Sequence, residues 1–258
     1  MMAGLLVLLL QVPAPSILRV GLDPREAPAA FVPGANYSYD EMRKPPLMGE
    51  EALTRVAGFD VDVMNAIARR LGVKPRVVAT SWFDLEGGLL GGRYDVILGS
   101  WTPSEKTSKE IVASIPYYDW GLLVAVRQQD ASIRSLPDLG GRRIGHIPDP
   151  SVERALAELE RGLGARSILL RDGGSLLFDD LRAGTIDALL FDSPYVRWRV
   201  AQEPRTFRVV GEPLNRLGYH VGLRRADSSL LARVNDAIRD FRDSGEMARV
   251  QQRWESGP

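Results

Sequence analysis

The chain repeats a short pattern of elements, and this internal repeat constrains its fold more than any other feature. The segment Arg19–Pro24 (RVGLDP) returns as Arg143–Pro148 (RIGHIP), and both predict an apolar strand that ends in a proline turn. Further along, Gly92–Ser100 (GRYDVILGS) returns as Gly184–Asp192 (GTIDALLFD). Chance similarity between two α/β stretches is the alternative, and the recurrence of several features in register disfavours it.

Amphipathic helices lie between the repeated strands. Phe59–Leu71 and Ser151–Leu163 both place apolar residues on one face, and both stop at a Leu-Gly pair that suits a left-handed cap. Strands at 76–80 and 167–170 follow, and each leads into a second helix. The sequence therefore predicts two β-α-β-α-β units with parallel sheets and right-handed crossovers. Because ligands bind outside the carboxyl ends of such strands, Ser100 and Asp192 are expected to face one crevice.

The connections between the two units are extended rather than helical. Trp120–Val126 leaves the first unit, and Phe207–Leu223 returns from the second. Two crossings are typical of a hinge. We therefore expect residues 17–120 and 215–258 to form one lobe and residues 122–212 to form the other. The segment 33–57, rich in Pro, Gly and charge, is expected to be a long loop at the crevice mouth, and 228–254 is expected to be helical.

Composition excludes several classes of function. Lys plus Arg and Asp plus Glu both total 33, so no net charge favours nucleic acid. The absence of cysteine excludes disulfides, a Cys-based zinc site, a thiol nucleophile and a lipid-anchored cysteine. The two histidines, His146 and His220, belong to no metal-binding motif, and no Gly-x-Ser-x-Gly elbow is present. We expect no metal, no cofactor and no catalytic residues.

The N-terminus carries an apolar run, Gly4–Leu10, that is too short to span a bilayer. It is typical of the apolar core of a secretory signal, so residues 1–16 are interpreted as a signal segment of an exported, periplasmic protein. A buried first strand is the alternative, because no Lys or Arg precedes the run and Pro15 follows Ala14.

Several short sequence motifs occur in the order and with the spacing that are characteristic of one family. By these motifs the chain resembles the amino-acid-binding class of periplasmic solute-binding proteins, extracellular family 3. The motifs are Gly58–Asp62, Thr80–Trp82, Tyr94–Ile97, Ser114–Tyr118, Ser135–Gly145 and Asp192–Pro194. The resemblance covers nearly everything after the signal segment. It implies an α/β fold of two Rossmann-like lobes joined by a two-crossing hinge, as in type II periplasmic binding proteins. It also implies a monomer that captures a small polar solute and delivers it to a membrane ABC permease.

The resemblance also assigns candidate ligand contacts. Asp192 matches the carboxylate that pairs with a ligand ammonium, although an N-cap role is the alternative. Ser100 and Thr102 match small polar residues that hydrogen-bond the ligand. Trp82 matches a stacking aromatic, with a core position equally open, and Asp23 matches a position that can contact a cationic tail.

Two departures from the family pattern concern the ligand carboxylate. The family's clamping Arg falls on Thr107, and its Gly-Thr pair of backbone donors falls on Asp149-Pro150. Proline has no N–H, and Asp149 repels an anion. Ordinary α-amino acids are therefore expected to bind poorly, and the preferred solute is expected to be either a cation without a free carboxylate or a neutral polar molecule. The alternative is that Lys106 or Lys109 replaces the missing Arg as a point charge.

Two further residues complete the expected set of ligand contacts, namely Trp101 as a pocket wall and Ser151 beside the altered Asp149-Pro150 pair. Two other functions stay open. The chain is similar in scaffold to periplasmic cyclohexadienyl dehydratases, but their substrates are anionic and the clamping Arg is missing. A ligand-sensing module is the second alternative, disfavoured because no transmembrane or kinase segment is evident.

Overall fold

The structure is a computed structural model that describes residues 16–35, 37, 41, 44–146, 150–169 and 174–255 of the 258-residue chain. For residues 150–151, 167–169 and 174–176 it describes the backbone alone. The signal segment, apart from Ser16, and Asp149 lie outside the described residues.

The described residues form strands and helices with the following bounds. The strands are β1 (Ile17–Leu22), β2 (Arg25–Glu26), β3 (Ala30–Phe31), β4 (Lys74–Ala79), β5 (Val96–Ile97), β6 (Ile111–Ala113), β7 (Tyr118–Trp120), β8 (Leu122–Arg127), β9 (Arg143–His146), β10 (Arg166–Leu169), β11 (Ala188–Asp192), β12 (Phe207–Val210), β13 (Leu217–Tyr219) and β14 (Gly222–Arg224). The helices are α1 (Glu50–Thr54), α2 (Phe59–Leu71), α3 (Leu85–Leu90), α4 (Pro150–Leu163), α5 (Gly174–Ala183), α6 (Ser193–Gln202), α7 (Ser228–Asp243) and α8 (Glu246–Glu255).

Two five-stranded sheets form the two lobes, with orders β4-β1-β5-β14-β6 and β10-β9-β11-β8-β12. In each sheet the three strands of the repeat are parallel. The strand that comes first in the chain, β1 or β9, lies in the middle, between the second (β4 or β10) and the third (β5 or β11). An antiparallel strand from outside the repeat, β14 or β8, then joins the third. The predicted two-lobed α/β architecture is confirmed.

The repeat extends to individual side chains at the start of the parallel strands. Arg19 donates from its main-chain nitrogen and its guanidinium to Asp95, with the shortest contact at 2.7 Å. Arg143 meets Asp187 in the same way, with the shortest contact at 2.8 Å. Both pairs are partly exposed, so each contributes little to stability, and their main consequence is to align the first strand with the third.

Glycines end the helices where the sequence indicated. Helix α2 ends at Gly72, which has φ of +69° and so can form the left-handed cap that a side chain disfavours. The C-terminal helical pattern is divided into α7 and α8, because Gly245 adopts φ of +71°. The segment 33–57 is less irregular than expected, since it contains α1.

The hinge is a two-stranded ribbon in which β7 pairs with β13. Beside it, the Leu122 amide donates to Asn215 Oδ1 at 2.9 Å, so the two crossings are also tied where they enter the second lobe. Tyr219 stacks on Trp120 with ring centroids 5.1 Å apart, and on Tyr118 at 5.8 Å. These stacked rings pack the two crossings against each other.

An aromatic contact joins the lobes away from the hinge ribbon. Phe31, in the first lobe, lies edge-on to Trp198 of α6 in the second lobe, with centroids 5.7 Å apart. The same ring meets Trp254 of α8 at 5.9 Å. Trp254 is bound to the first lobe, because its indole N–H donates to Asp62 Oδ2 at 2.9 Å. The described residues include no helix long and apolar enough to cross a membrane.

Candidate functional site

Ser100 stands at the carboxyl end of β5 in a left-handed turn. Its φ is +56°, which costs a non-glycine residue about 1–2 kcal/mol. The amides of Gly99 and Ser100 both donate to Asp60 Oδ2, at 2.8 and 2.7 Å. These two charge-assisted bonds offset the strain and fix Ser100 at the crevice.

Asp60 is a fully buried carboxyl group at the start of α2. Its other oxygen accepts a hydrogen bond from the Tyr117 hydroxyl at 2.8 Å. Burial raises its pKa from 3.8 to about 6, even though the bonds from Ser100, Tyr117 and Gly99 act in the opposite direction. In the sequence, Asp60 stood out only as part of the motif Gly58–Asp62. Its role as a buried acceptor was not predicted, because burial is not visible in the sequence.

This raised pKa leads to a stability prediction. The folded protein holds the Asp60 proton more tightly than the unfolded chain between pH 3.8 and about 6. Stability therefore falls as the pH rises through that window, by about 3 kcal/mol for a shift of roughly two units. The unfolding free energy of the wild type minus that of Asp60→Asn is expected to drop by about 2 kcal/mol between pH 4 and pH 6.5, the part of the transition that this range covers. Urea unfolding at a series of pH values measures it, and a constant difference would contradict the assignment.

Asp192 ends β11 and occupies the N-cap position of α6. Its side chain makes no capping hydrogen bond with the helix. Instead, Oδ2 accepts a hydrogen bond from the Tyr219 hydroxyl at 3.1 Å. The carboxylate is therefore turned toward the hinge and the first lobe, and the N-cap alternative does not describe its hydrogen bonding.

Asp23, at the carboxyl end of β1, is already paired with a cationic side chain of the protein, that of Arg25. It is fully buried, and its two oxygens accept bonds from Arg25 Nε and Nη2 at 2.7 Å each. The main-chain amides of Arg25 and Trp82 also donate to Asp23, at 3.2 and 3.0 Å. Asp23 and Arg25 thus form a bidentate pair that anchors the Trp82 backbone beside the crevice.

Glu26 is the acidic residue that sequence reasoning missed. It lies partly buried in β2, three residues after Asp23. Burial raises its pKa well above the ordinary value, and the charges of Asp23, Asp192 and Asp60 raise it further, while Arg25 lowers it. One cation and three other carboxyl groups therefore act on Glu26, so this part of the crevice has an excess of negative charge. The signal in the sequence was an acidic residue directly after the first strand's turn.

Three other candidates are placed differently. Thr102 donates to the Gly218 carbonyl at 2.9 Å and accepts from Trp120 Nε1 at 3.2 Å, so its hydroxyl bonds within the hinge region. Trp101 is only 4% exposed and packs in the first lobe's core, which makes it a core residue rather than a pocket wall. Trp82 is partly buried, with its ring edge-on to Phe83 at 5.7 Å.

Thr107 is bonded to an internal carboxylate. Its hydroxyl donates to Glu86 Oε1 at 2.9 Å, the Trp101 indole donates to the same oxygen at 3.2 Å, and the Ser108 amide donates to Oε2 at 3.3 Å. Lys106 is exposed, as is Lys109 in the same loop. Glu86 therefore accepts hydrogen bonds from Thr107, the position at which the resemblance implies an arginine, and from two neighbouring donors. The side chain of Ser151 is not among those described.

Comparison with known proteins agrees with this architecture. The chain matches bacterial extracellular solute-binding proteins, family 3, over residues 40–257. It is 28% identical over 211 residues to the L-cystine-binding protein TcyJ of Escherichia coli strain K12, covering 81% of this chain and 78% of the relative. It is 25% identical over 244 residues to the lysine/arginine/ornithine-binding periplasmic protein of the same strain, covering 92% and 94%.

A solved structure shows the same arrangement of lobes. An ancestral arginine-binding protein bound to arginine superposes with a TM-score of 0.69 at 26% identity, covering 93% of this chain and 98% of that one. Two lobes joined by a two-stranded hinge define a type II periplasmic binding protein. The chain belongs to family 3 of the bacterial extracellular solute-binding proteins.

Proposed function

We propose that this protein captures a small amine-bearing, cationic solute between its lobes and delivers it to a membrane ABC permease. The observation that carries the proposal is the position of Asp192 at the carboxyl end of β11, with its carboxylate bonded to Tyr219 of the hinge rather than to α6. A carboxylate at this end of the sheet favours an ammonium or guanidinium partner, and its charge also raises the pKa of Glu26 in the first lobe. Two similar proteins, one binding lysine, arginine and ornithine and one binding arginine, are named for ligands of the same charge.

The proposed mechanism is lobe closure. A solute that touches both lobes binds the closed form better than the open form, so it shifts the population toward closure. We place the lobes at 17–120 with 215–258 and at 122–212, a division supported by the membership of the two sheets. The protein is proposed to act as an exported, periplasmic monomer.

We propose binding rather than catalysis. The dehydratase alternative requires a site for an anionic, carboxylate-bearing ring. The donors around Thr107 are bonded to Glu86, and the charges that act on Glu26 are mainly negative. Incubation with prephenate or arogenate is expected to yield no aromatic product, and its formation would overturn this part of the proposal.

A thermal-shift screen tests the proposed function. The panel contains L-arginine, L-lysine, L-ornithine, agmatine, cadaverine, L-cystine and glycine betaine, with L-glutamate as the anionic control. A ligand at a hundred times its Kd adds about 2.7 kcal/mol, which raises Tm by roughly 5–10 °C for a chain of this size. Cationic members are expected to give that shift, while L-glutamate gives none. Stabilisation by L-glutamate alone would refute a cationic solute.

A further inference from the structure

Asp192 is held by both crossings of the hinge. Its backbone pairs with Leu122 across β11 and β8. The next residue, Ser193, exchanges two hydrogen bonds with Gly121, at 2.8 and 3.2 Å. Through these bonds the first crossing fixes the backbone, and the second crossing reaches the side chain through Tyr219.

Tyr219 is itself rigidly placed. It is 4% exposed and lies opposite Tyr118 in the β7–β13 ribbon, between rings contributed by the other crossing. Burial, followed by the charges of Asp192 and Asp60, raises the pKa of the Tyr219 phenol well above 10. The hydroxyl therefore keeps its proton and donates it to Asp192, the contact that the geometry shows at 3.1 Å.

The same residue also packs against the first lobe. Its ring centroid lies 6.3 Å from that of Tyr117, and the Tyr117 hydroxyl donates to Asp60 at 2.8 Å. Tyr219 therefore lies between the buried carboxyl group of the first lobe and Asp192 of the second, beside the group that we expect to meet the solute.

We propose that Tyr219 is a positioning residue that aims the Asp192 carboxylate at the solute's cationic group and ties that carboxylate to the hinge. The proposal rests on the proposed function of the cleft. It adds a specific role to a residue that the sequence pattern did not single out. Without the phenol, the Asp192 side chain loses a neutral donor on one oxygen and gains rotational freedom, and fixing it again on binding costs entropy.

The test removes one hydroxyl at a time from the same ribbon. Tyr219→Phe keeps the stacked ring and deletes the bond to Asp192. Tyr118→Phe is the matched control, because its hydroxyl binds Glu255 instead. Calorimetry with agmatine and with L-arginine is expected to show about tenfold weaker binding for Tyr219→Phe and a change below about twofold for the control.

A double-mutant cycle separates positioning from general damage. If Tyr219 acts through Asp192, then Asp192→Asn with Tyr219→Phe binds no more weakly than Asp192→Asn alone. If the two losses multiply, or if Tyr219→Phe binds like the wild type, the proposal is overturned.

Crystal structures of the two tyrosine variants provide a readout that needs no solute. In Tyr219→Phe the Asp192 carboxylate is expected to rotate or to adopt two conformers, whereas in Tyr118→Phe it should stay in place. An unmoved Asp192 in Tyr219→Phe overturns the positioning role. If neither agmatine nor L-arginine binds the wild type, the proposed cationic solute fails, and these structures still decide the role of Tyr219.

Discussion

Asp192→Asn is expected to weaken the binding of agmatine by roughly ten- to a hundredfold. A charge-assisted hydrogen bond in a partly dry cleft contributes about 1.5–3 kcal/mol, and the amide removes the charge while keeping the shape. Fold stability is expected to change little, because the carboxylate makes no capping bond with α6. Titration calorimetry measures the affinity, and chemical unfolding measures the stability.

Asp187→Asn is the matched control for this experiment. Asp187 immediately precedes β11 and pairs with Arg143 at 2.8 Å, at the opposite end of the strand from Asp192. Removing that charge should leave the affinity for agmatine unchanged. If Asp192→Asn also binds agmatine like the wild type, then Asp192 does not contact the solute.

Amines are expected to bind at least about tenfold more tightly than the amino acids from which they derive. The comparison pairs are agmatine with L-arginine and cadaverine with L-lysine, measured by competition. Thr107 offers one hydroxyl at the position where the resemblance implies a guanidinium, and that hydroxyl is bonded to Glu86. If the carboxylate of a bound amino acid came to this position, Glu86 would repel it, and Thr107 could not form a bidentate pair with it.

Variants of Glu86 and Thr107 test whether this pair of residues disfavours a solute carboxylate. Glu86→Gln removes the internal charge and is expected to improve L-arginine binding relative to agmatine by several fold, since one repulsive charge is lost. Combining it with Thr107→Arg is expected to improve L-arginine binding by about ten- to a hundredfold, because a bidentate carboxylate pair becomes possible. Micromolar binding of the free acids by the wild type, with weaker binding of the amines, would show that a carboxylate clamp survives. Lys106→Ala and Lys109→Ala would then identify the residue that supplies it.

The fold could be predicted because its determinants are local and repeated. Strand patterns, Leu-Gly helix ends and the paired Arg and Asp residues recur in register, and the parallel strands lie within two residues of the expected bounds. The positions of Ser100 and Asp192 at the carboxyl ends of their strands could be predicted as well, whereas their contact with a solute stays a prediction. Each of these inferences needs only a short stretch of sequence and the known geometry of parallel sheets.

The other side chains depend on contacts that no local pattern reveals. Consecutive positive φ values at Gly99 and Ser100 turn the chain so that Trp101 enters the core instead of walling the pocket. Glu86 lies on a six-residue helix, and its partners come from a separate loop. Glu26 and Tyr219 acquire their roles only when two lobes and two crossings come together, so sequence periodicity could not indicate them.

The contact of Phe31 with Trp198 and Trp254 makes the protein's own fluorescence a gauge of lobe separation. Two of its five tryptophans lie on opposite sides of the interlobe contact and meet through one ring. Indole emission shifts to longer wavelength when water reaches the ring. Opening of the lobes should therefore shift the emission of Trp198 and Trp254 to longer wavelength, and closure should reverse the shift. The equilibrium between the two forms can thus be followed in solution without an attached dye.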